Sequence, residues 1–294
     1  MSIELSIITV NYNGLEDTCA LIDTIPLDKT IEVIVVDNGS NKDEASIIQQ
    51  RYPHIFAIRS DQNLGFAGGN NIGIREATGK YLFLINNDTV FEHFNVHALI
   101  QRLESNSNIA MVCPKIRFAW ASQPIQFAGY TPLSAVTLRN QAIGYGEEDH
   151  GQYNTPHPTP YAHGAAMLVK RDALKRVGMM PECYFLYYEE LDWSLMFTRA
   201  GYQIWYDPAC TIFHKESQST GVDSPLKTYY ITRNRLLFAR RNNKKGERYA
   251  TYCYLTGVVA VRDTLRHLFK RRMDLAKATL RGIIHFYFSN RQKE

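Results

Sequence analysis

The sequence predicts an α/β fold, with a mostly parallel central sheet, flanking helices and a helical C-terminal extension. Short runs rich in Ile and Val, such as residues 5–10 and 31–36, are typical of buried strands. Helical patterns separate these runs, and strands that alternate with helices indicate βαβ units and a parallel sheet. The predicted strands are 5–10, 31–36, 54–59, 80–85 and 109–113, and the predicted helices are 15–25, 45–52, 67–78 and 94–105.

The second half of the chain is less regular. Residues 119–160 contain five prolines, which predicts hairpins and loops over the sheet. Beyond them we expect a small apolar segment over 162–169, helices over 171–177 and 191–200, and strands over 203–206 and 210–213. These elements predict two domains, an α/β domain over 1–225 and a basic helical extension over 226–294.

Charge is divided unevenly between these two parts. The net charge is +4, but residues 226–294 hold 17 basic and 4 acidic side chains, which leaves the first 225 residues at −9. Arg262, Arg266 and Lys270 are spaced four apart, so they fall on one side of a helix. A basic amphipathic helix is typical of docking on an anionic membrane surface. A solvated helix face on the body, an acidic partner protein and nucleic acid are the alternatives.

Several features bear on the compartment. The five cysteines form no Cys-x-x-Cys pair, which is typical of a reducing environment. The N-terminus shows no basic leader or cleavage site. The longest uncharged stretch of the tail is 249–261, shorter than the about 20 apolar residues of a membrane span. We expect a cytoplasmic protein, either free or peripheral on the inner face of the cell membrane.

Polar residues follow three of the predicted strands, at 11–14, 37–40 and 86–88. Each is ordinary turn chemistry on its own. Parallel strands end at one edge of a sheet, however, and three polar ends there predict a ligand cleft. The single glycine in 11–14 excludes a dinucleotide-binding fingerprint. Four later glycines allow either close phosphate approach or helix–sheet packing, namely Gly65, Gly68, Gly69 and Gly73.

Two groups of residues are candidates for chemistry. Asp88 follows a strand and offers the oxygen ligand that hard divalent cations prefer, and His214 is a candidate second ligand. Glu189, Glu190 and Asp192 follow the aromatic run 184–188, and partial desolvation there would raise a carboxylate pKa toward that of a general base. The alternatives are a turn aspartate, a structural histidine and an acidic first turn of a helix.

Taken together and in this order, these segments resemble a family 2 (GT-A fold) glycosyltransferase, closest in pattern to the rhamnosyltransferase-like branch. The resemblance covers roughly residues 5–240. The matching segments are 6–14, 35–40, 63–70, 86–88, 164–167, 188–192 and His214.

The resemblance implies a role for each matching position. The nucleotide-sugar donor would contact Val10, Tyr12, Asp37, Asn70, Asn86 and Asn87. Asp88 and His214 would hold a divalent metal, Mg or Mn. Glu190 matches the catalytic base, with Asp192 in reserve. Acceptor contacts would come from Glu189, Gly164 and Ala165.

The implied activity is inverting transfer of a sugar from a nucleotide-diphosphate donor, dTDP-rhamnose or a UDP-hexose. The acceptor would be a hydroxyl of a glycan or lipid-linked molecule in surface polysaccharide assembly. The alternative is a nucleotide-binding α/β protein whose basic tail binds nucleic acid or a partner protein. No nucleic-acid motif accompanies the tail, so we expect no nucleic-acid binding. Arg233 is a further candidate contact for the donor diphosphate.

Overall fold

Ten strands form one sheet in the computed structural model, which describes residues 2–120, 122–216 and 224–288. The strands are β1 (Leu5–Asn11), β2 (Ile31–Asp37), β3 (Phe56–Arg59), β4 (Tyr81–Ile85), β5 (Thr89–Phe91), β6 (Ile109–Phe118), β7 (Ile125–Phe127), β8 (His157–Pro158), β9 (Ala166–Lys170) and β10 (Gln203–His214). Their order is β3-β2-β1-β4-β9-β6-β10-β5, with β7 on β6 and β8 on β10.

Helices cover the sheet and continue into the C-terminal extension. They are α1 (Leu15–Ile22), α2 (Glu44–Arg51), α3 (Gly65–Glu76), α4 (Val96–Glu104), α5 (Arg171–Val177), α6 (Glu189–Arg199), α7 (Pro225–Asn242), α8 (Lys245–Cys253), α9 (Val261–Phe269) and α10 (Met273–Phe288). A 3-10 turn, Glu182–Tyr184, precedes α6, and a π-helical segment, Tyr254–Ala260, joins α8 to α9.

The predicted parallel core is present, but the sheet is mixed, with four parallel and five antiparallel strand pairings among the described residues. β1 pairs in parallel with β2 and β4, and β2 with β3. β9 runs antiparallel between β4 and β6, while β10 is parallel to β6. The strands predicted at 203–206 and 210–213 are one strand, because β10 continues through a register shift between Asp207 and Thr211. Pro208 lies in that shift, where its missing N–H costs no ladder hydrogen bond.

Glycines in α3 bring the helix close to β1. A Cβ on Gly69 would lie 2.8 Å from Val10 Cγ1, and one on Gly73 would lie 2.4 Å from Ile8 Cγ2. Both distances are shorter than van der Waals contact, so only glycine fits. Of the two roles considered for the glycine cluster, these positions serve helix–sheet packing.

The C-terminal helices pack on the body through α7. This helix begins at Pro225, next to the predicted boundary, and buries Leu236, Leu237, Phe238 and Ala239. α10 lies against α7, where a Cβ on Gly282 would lie 2.9 Å from the carbonyl oxygen of Tyr229. The division at 225/226 stays a prediction. Within the described ranges no helix has both the length and the apolar character of a bilayer span.

Candidate active site

A cavity of about 680 Å³ opens at the carboxyl ends of β1 and β4. Its lining combines residues at the ends of β1, β2 and β4 with residues at the start of α6 and the end of β10. The predicted site residues that line it are Val10, Tyr12, Asn70, Asn86, Asn87, Asp88, Gly164, Ala165, Glu189, Glu190 and His214. Asp37 and Asp192 do not line it.

Asn11, the last residue of β1, does not line the cavity but connects the segments next to it. It is fully buried, and its Nδ2 donates to Glu44 Oε2 at 2.7 Å while its Oδ1 accepts from Thr18 Oγ1 at 2.8 Å. Asn87 donates to the same threonine oxygen at 3.0 Å. The loops after β1 and β4 are therefore tied together by side-chain amides, which is the structural use of the Asn-rich strand ends.

Asp88 and His214, the two residues that the sequence proposed as metal ligands, lie next to each other. His214 Nε2 lies 3.2 Å from Asp88 Oδ1 and 3.4 Å from Asn86 Nδ2. On the other side of the ring, His214 Nδ1 lies 2.8 Å from Gln126 Oε1. An amide oxygen only accepts, so the Nδ1–H group faces Gln126, and Nε2 is the ring nitrogen that faces Asp88.

This arrangement fits a divalent cation. An imidazole nitrogen beside a carboxylate would provide two ligands, and a buried partner such as Gln126 orients the ring as in metal sites generally. Within the described residues no group of three or more His, Cys, Asp or Glu side chains could enclose an ion. The remaining positions would go to water and ligand oxygens, the usual situation for Mg²⁺ bound with phosphates.

Glu189 and Glu190 begin α6 and face the cavity. Glu189 is 3% exposed, and its Oε2 has no hydrogen-bond partner among the described residues. Burial, and then the charge of Glu190, raises the pKa of Glu189 well above its usual range. Burial raises the pKa of Glu190 to about 7. A carboxyl group whose pKa is raised toward neutral can exchange a proton there, which suits Glu190 to proton transfer.

The backbone before α6 is strained. Phe185, Tyr187 and Tyr188 all have positive φ angles, at 68°, 67° and 80°. Such conformations cost roughly 1–3 kcal/mol each and persist where surrounding contacts impose them. Gly65 supplies one of those contacts, because a Cβ there would lie 2.1 Å from the Phe185 carbonyl oxygen, which accepts from Phe66 N at 2.8 Å.

Asp37 and Asp192 are engaged by protein groups. Asp37 is fully buried, accepts from Ser40 N at 3.1 Å and lies 3.5 Å from Arg59. Asp192 pairs with Arg241 at 2.6 Å and accepts from Tyr184 OH at 3.0 Å. Their predicted roles, in nucleotide binding and as the reserve base, stay predictions.

Among the cavity-lining residues that sequence reasoning missed are Gln126, Tyr130 and His163. The ring of His163 lies nearly parallel to that of Tyr130, with centroids 5.9 Å apart, and His163 Nδ1 accepts from Ala165 N at 3.1 Å. Burial, and then the nearby His214, lowers the pKa of His163 to about 3, so the ring is neutral. Gln126 and Tyr130 come from the proline-rich segment, whose irregular pattern carried no signal for them.

The sequence matches the family model described as "Glycosyl transferase family 2" over residues 6–178. The chain belongs to glycosyl transferase family 2. This span of the family 2 domain includes the loops after β1, β2 and β4 but ends before Glu190 and His214.

Three named relatives resemble this family 2 protein along much of its length. It is 26% identical to the low-salt glycan biosynthesis hexosyltransferase Agl10 of Haloferax volcanii, over 96% of this chain and 90% of the relative. It is 25% identical to dTDP-rhamnosyl transferase RfbF of Shigella flexneri, over 83% of this chain and 82% of the relative. It is 24% identical to N-acetylglucosaminyl-diphospho-decaprenol L-rhamnosyltransferase of Mycobacterium tuberculosis, over 68% of this chain and 71% of the relative. The resemblance to rhamnosyltransferases predicted from the motifs is thus confirmed.

Solved structures confirm the GT-A fold. The mannosyltransferase PcManGT from Pyrobaculum calidifontis, in complex with GDP-Man and Mn²⁺, has a TM-score of 0.60 at 14% identity and covers 100% of this chain and 89% of its own. GalNAc-T7 with UDP, GalNAc and Mn²⁺ has a TM-score of 0.61 at 14% identity, and the match covers 82% of this chain and 51% of GalNAc-T7.

Proposed function

We propose that this glycosyltransferase is a metal-dependent, inverting hexosyltransferase that uses a nucleotide-diphosphate sugar. The observation that carries the proposal is the meeting of the Asp88–His214 pair and Glu190 around one cavity of about 680 Å³. A volume of this size accommodates a nucleotide sugar, since ligand pockets usually run from about 300 to 1,000 Å³.

The donor is dTDP-rhamnose or a UDP-hexose. Val10 lies in β1 and Tyr12 follows it, and both would contact the nucleoside. Asn86 lies beside His214 and, with Asn70, would contact ribose and diphosphate. The name of the Shigella relative supports a dTDP-rhamnose donor. Arg233 is not available to the diphosphate in this arrangement, because its guanidinium donates to two backbone carbonyls.

Glu190 is the base in this proposal. It takes the proton of the acceptor hydroxyl as the hydroxyl oxygen forms its bond to the anomeric carbon, and the bond from that carbon to the diphosphate breaks with inversion. A divalent ion at Asp88 and His214, Mg²⁺ or Mn²⁺, would neutralise charge on the departing diphosphate. Glu190 is favoured over Asp192 because Asp192 is held by Arg241 and Tyr184 outside the cavity.

The acceptor is a hydroxyl of a glycan or lipid-linked molecule in surface polysaccharide assembly. Glu189, Gly164 and Ala165 are the proposed acceptor contacts. Gly164 lies beside the base, since a Cβ there would be 3.8 Å from Glu190 Cγ. The Mycobacterium relative is named for an acceptor on decaprenol diphosphate, which supports a lipid-linked molecule.

The C-terminal helices would then dock the enzyme on the inner face of the cell membrane. On α9 an exposed apolar strip of Val261, Leu265, Leu268 and Phe269 lies beside Arg262 and Arg266. Phe269 is 91% and Leu265 is 61% exposed. Exposed apolar side chains flanked by arginines are what an interfacial helix presents to anionic lipid.

Charge and exposure favour a bilayer over nucleic acid or a second copy of this face. The acids of α9 and α10, Asp263 and Asp274, are each paired with an adjacent arginine. The remaining positive charge would repel a second copy of the same face. Nucleic acid would satisfy the charge but leave Leu265 and Phe269 in water.

Metal-dependent donor binding tests the proposed reaction. Isothermal calorimetry with dTDP-rhamnose, UDP-glucose and GDP-mannose should show binding of a dTDP or UDP sugar with Mn²⁺ or Mg²⁺ and at least tenfold weaker binding in EDTA. The bound donor should then be turned over with an undecaprenyl-diphosphate N-acetylglucosamine acceptor. Metal-independent binding, or no binding of any of the three donors, would contradict the proposal.

Membrane docking is tested separately by vesicle pelleting. The double variant Leu265→Glu, Phe269→Glu should lose binding to vesicles that contain phosphatidylglycerol. Leu27→Glu changes a side chain that is 79% exposed on the body and should bind normally. If the parent protein, the double variant and Leu27→Glu bind these vesicles equally, docking through α9 is excluded. If the parent protein binds neutral vesicles equally well, docking on anionic lipid is excluded.

A further inference from the structure

Asn234 of α7 contacts the loop that leads into α6, the helix that begins with Glu189 and Glu190. It is fully buried, and its Nδ2 is within hydrogen-bond distance of three backbone carbonyls, those of Tyr184 at 3.0 Å, Leu186 at 2.7 Å and Tyr187 at 2.9 Å. An amide nitrogen has two N–H groups, so the three carbonyls share them.

Arg233 completes the arrangement. Its guanidinium donates to the carbonyls of Cys183 and Tyr184 at 2.8 Å each, and its Nε donates to Asn234 Oδ1 at 2.8 Å. That last bond orients the amide, so that its N–H groups face the loop rather than its oxygen. We call Arg233 and Asn234 the loop clamp.

Each backbone carbonyl from residue 183 to residue 188 accepts a hydrogen bond, and the loop clamp donates to most of them. Arg233 and Asn234 take four of them, the Phe185 carbonyl accepts from Phe66 N at 2.8 Å, and the Tyr188 carbonyl accepts from Asp192 N at 2.9 Å. Buried carbonyls need partners, and the positive-φ residues of this loop prevent it from supplying its own through regular structure.

We propose that Asn234, oriented by Arg233, is a positioning residue for Glu190. Asn234 does not itself line the cavity or contact Glu190, but it holds the carbonyls of Leu186 and Tyr187, which do line the cavity, and so imposes the backbone path from which α6 starts. The C-terminal extension therefore contributes to the active site through its first helix. This inference rests on the proposed role of Glu190 as the base.

The consequence is a separation of donor binding from turnover. A misplacement of about 1 Å in a reacting group can lower the rate about 10²-fold. The metal pair and the loops after β1 and β4 do not contact Asn234, so donor affinity should be spared. A purely structural role would instead lower donor affinity, turnover and folded fraction together.

Asn234→Ala and the near-isosteric Asn234→Asp remove the N–H donors. Asn242→Ala is the matched control on the same helix, since neither side-chain polar atom of Asn242 has a partner among the described residues. We expect hydrogen–deuterium exchange of peptide 183–190 to quicken at least tenfold in both Asn234 variants and to stay unchanged in the control. We expect kcat to fall about 10²-fold, with the donor Kd within twofold of the parent protein.

Arg233→Lys keeps the charge but loses the planar fork, and it serves if the Asn234 variants do not fold. It should shift exchange and kcat in the same direction. Faster exchange with unchanged kcat would overturn the positioning role, as would unchanged exchange in a folded variant. If the parent protein transfers no sugar, the proposed function fails, and the exchange data still report whether the clamp holds the loop.

Discussion

Replacing Glu190 by Gln tests the base and its environment at once. The side chain keeps its size but can no longer take a proton. Loss of a general base costs about 10² to 10⁴ in rate, so we expect kcat to fall by that factor while the metal-dependent donor Kd is unchanged. The parent protein should lose activity about tenfold per pH unit below the Glu190 pKa of about 7, because the base works only when ionised.

The same substitution should raise stability at alkaline pH. Burial raises the pKa of Glu190 from 4.5 to about 7 in the folded protein, and each pKa unit is worth about 1.4 kcal/mol. The parent protein should therefore lose on the order of 3 kcal/mol of unfolding free energy as the pH rises from below 4.5 to above 7. The glutamine variant does not ionise there, so its advantage should be absent below pH 4.5, grow between pH 4.5 and 7, and be complete above pH 7.

Urea unfolding of both proteins at pH 4.5, 6 and 8 measures this difference, with transfer kinetics at pH 6 to 8. Glu76→Gln, an exposed position at the end of α3, is the control and should change neither stability nor rate. A variant no more stable than the parent at pH 8 would refute the burial argument. Near-normal turnover in Glu190→Gln would refute the assignment of the base.

Three further predictions follow from single contacts. Asp88→Asn should abolish the metal dependence of donor binding in calorimetry, and retention of that dependence would exclude Asp88 as a ligand. Gln126→Leu removes the group that orients His214, and it should weaken Mn²⁺ affinity about 10- to 100-fold in a titration, with the fold intact by circular dichroism. Gly73→Ala should lower the free energy of unfolding by about 1–3 kcal/mol through overpacking. Gly246 has open space around it, so Gly246→Ala should raise that free energy by up to about 1 kcal/mol. Equal effects of the two substitutions on the free energy of unfolding would contradict the packing argument.

Much of the secondary structure of the α/β domain could be predicted from the local sequence pattern. The apolar runs at 5–10 and 31–36 and the polar residues after them are contiguous in sequence, so strand, edge and cleft could be predicted together. β10 could not, because its bulge interrupts the pattern at Pro208 while pairing with β6 keeps the strand whole. The proline-rich segment hid Gln126 and Tyr130, whose importance depends only on what they face.

The acidic motif shows most clearly where local information ends. Glu190 and Asp192 lie two residues apart, which on a helix turns their side chains to different sides. Composition made both candidates for the base. The packing of α7 separates them, because Arg241 holds Asp192 while Glu190 faces the cavity.

The sequence by itself determined the fold class, the polar strand ends and the types of side chain available for chemistry, since these depend on neighbours along the chain. Tertiary structure decided which of those side chains meet. It placed His214 Nε2 3.2 Å from Asp88, left the Glu190 carboxylate in surroundings that raise its pKa, and set Asn234 against a strained loop. Distance and desolvation arise between residues far apart in the chain, and no local pattern encodes them.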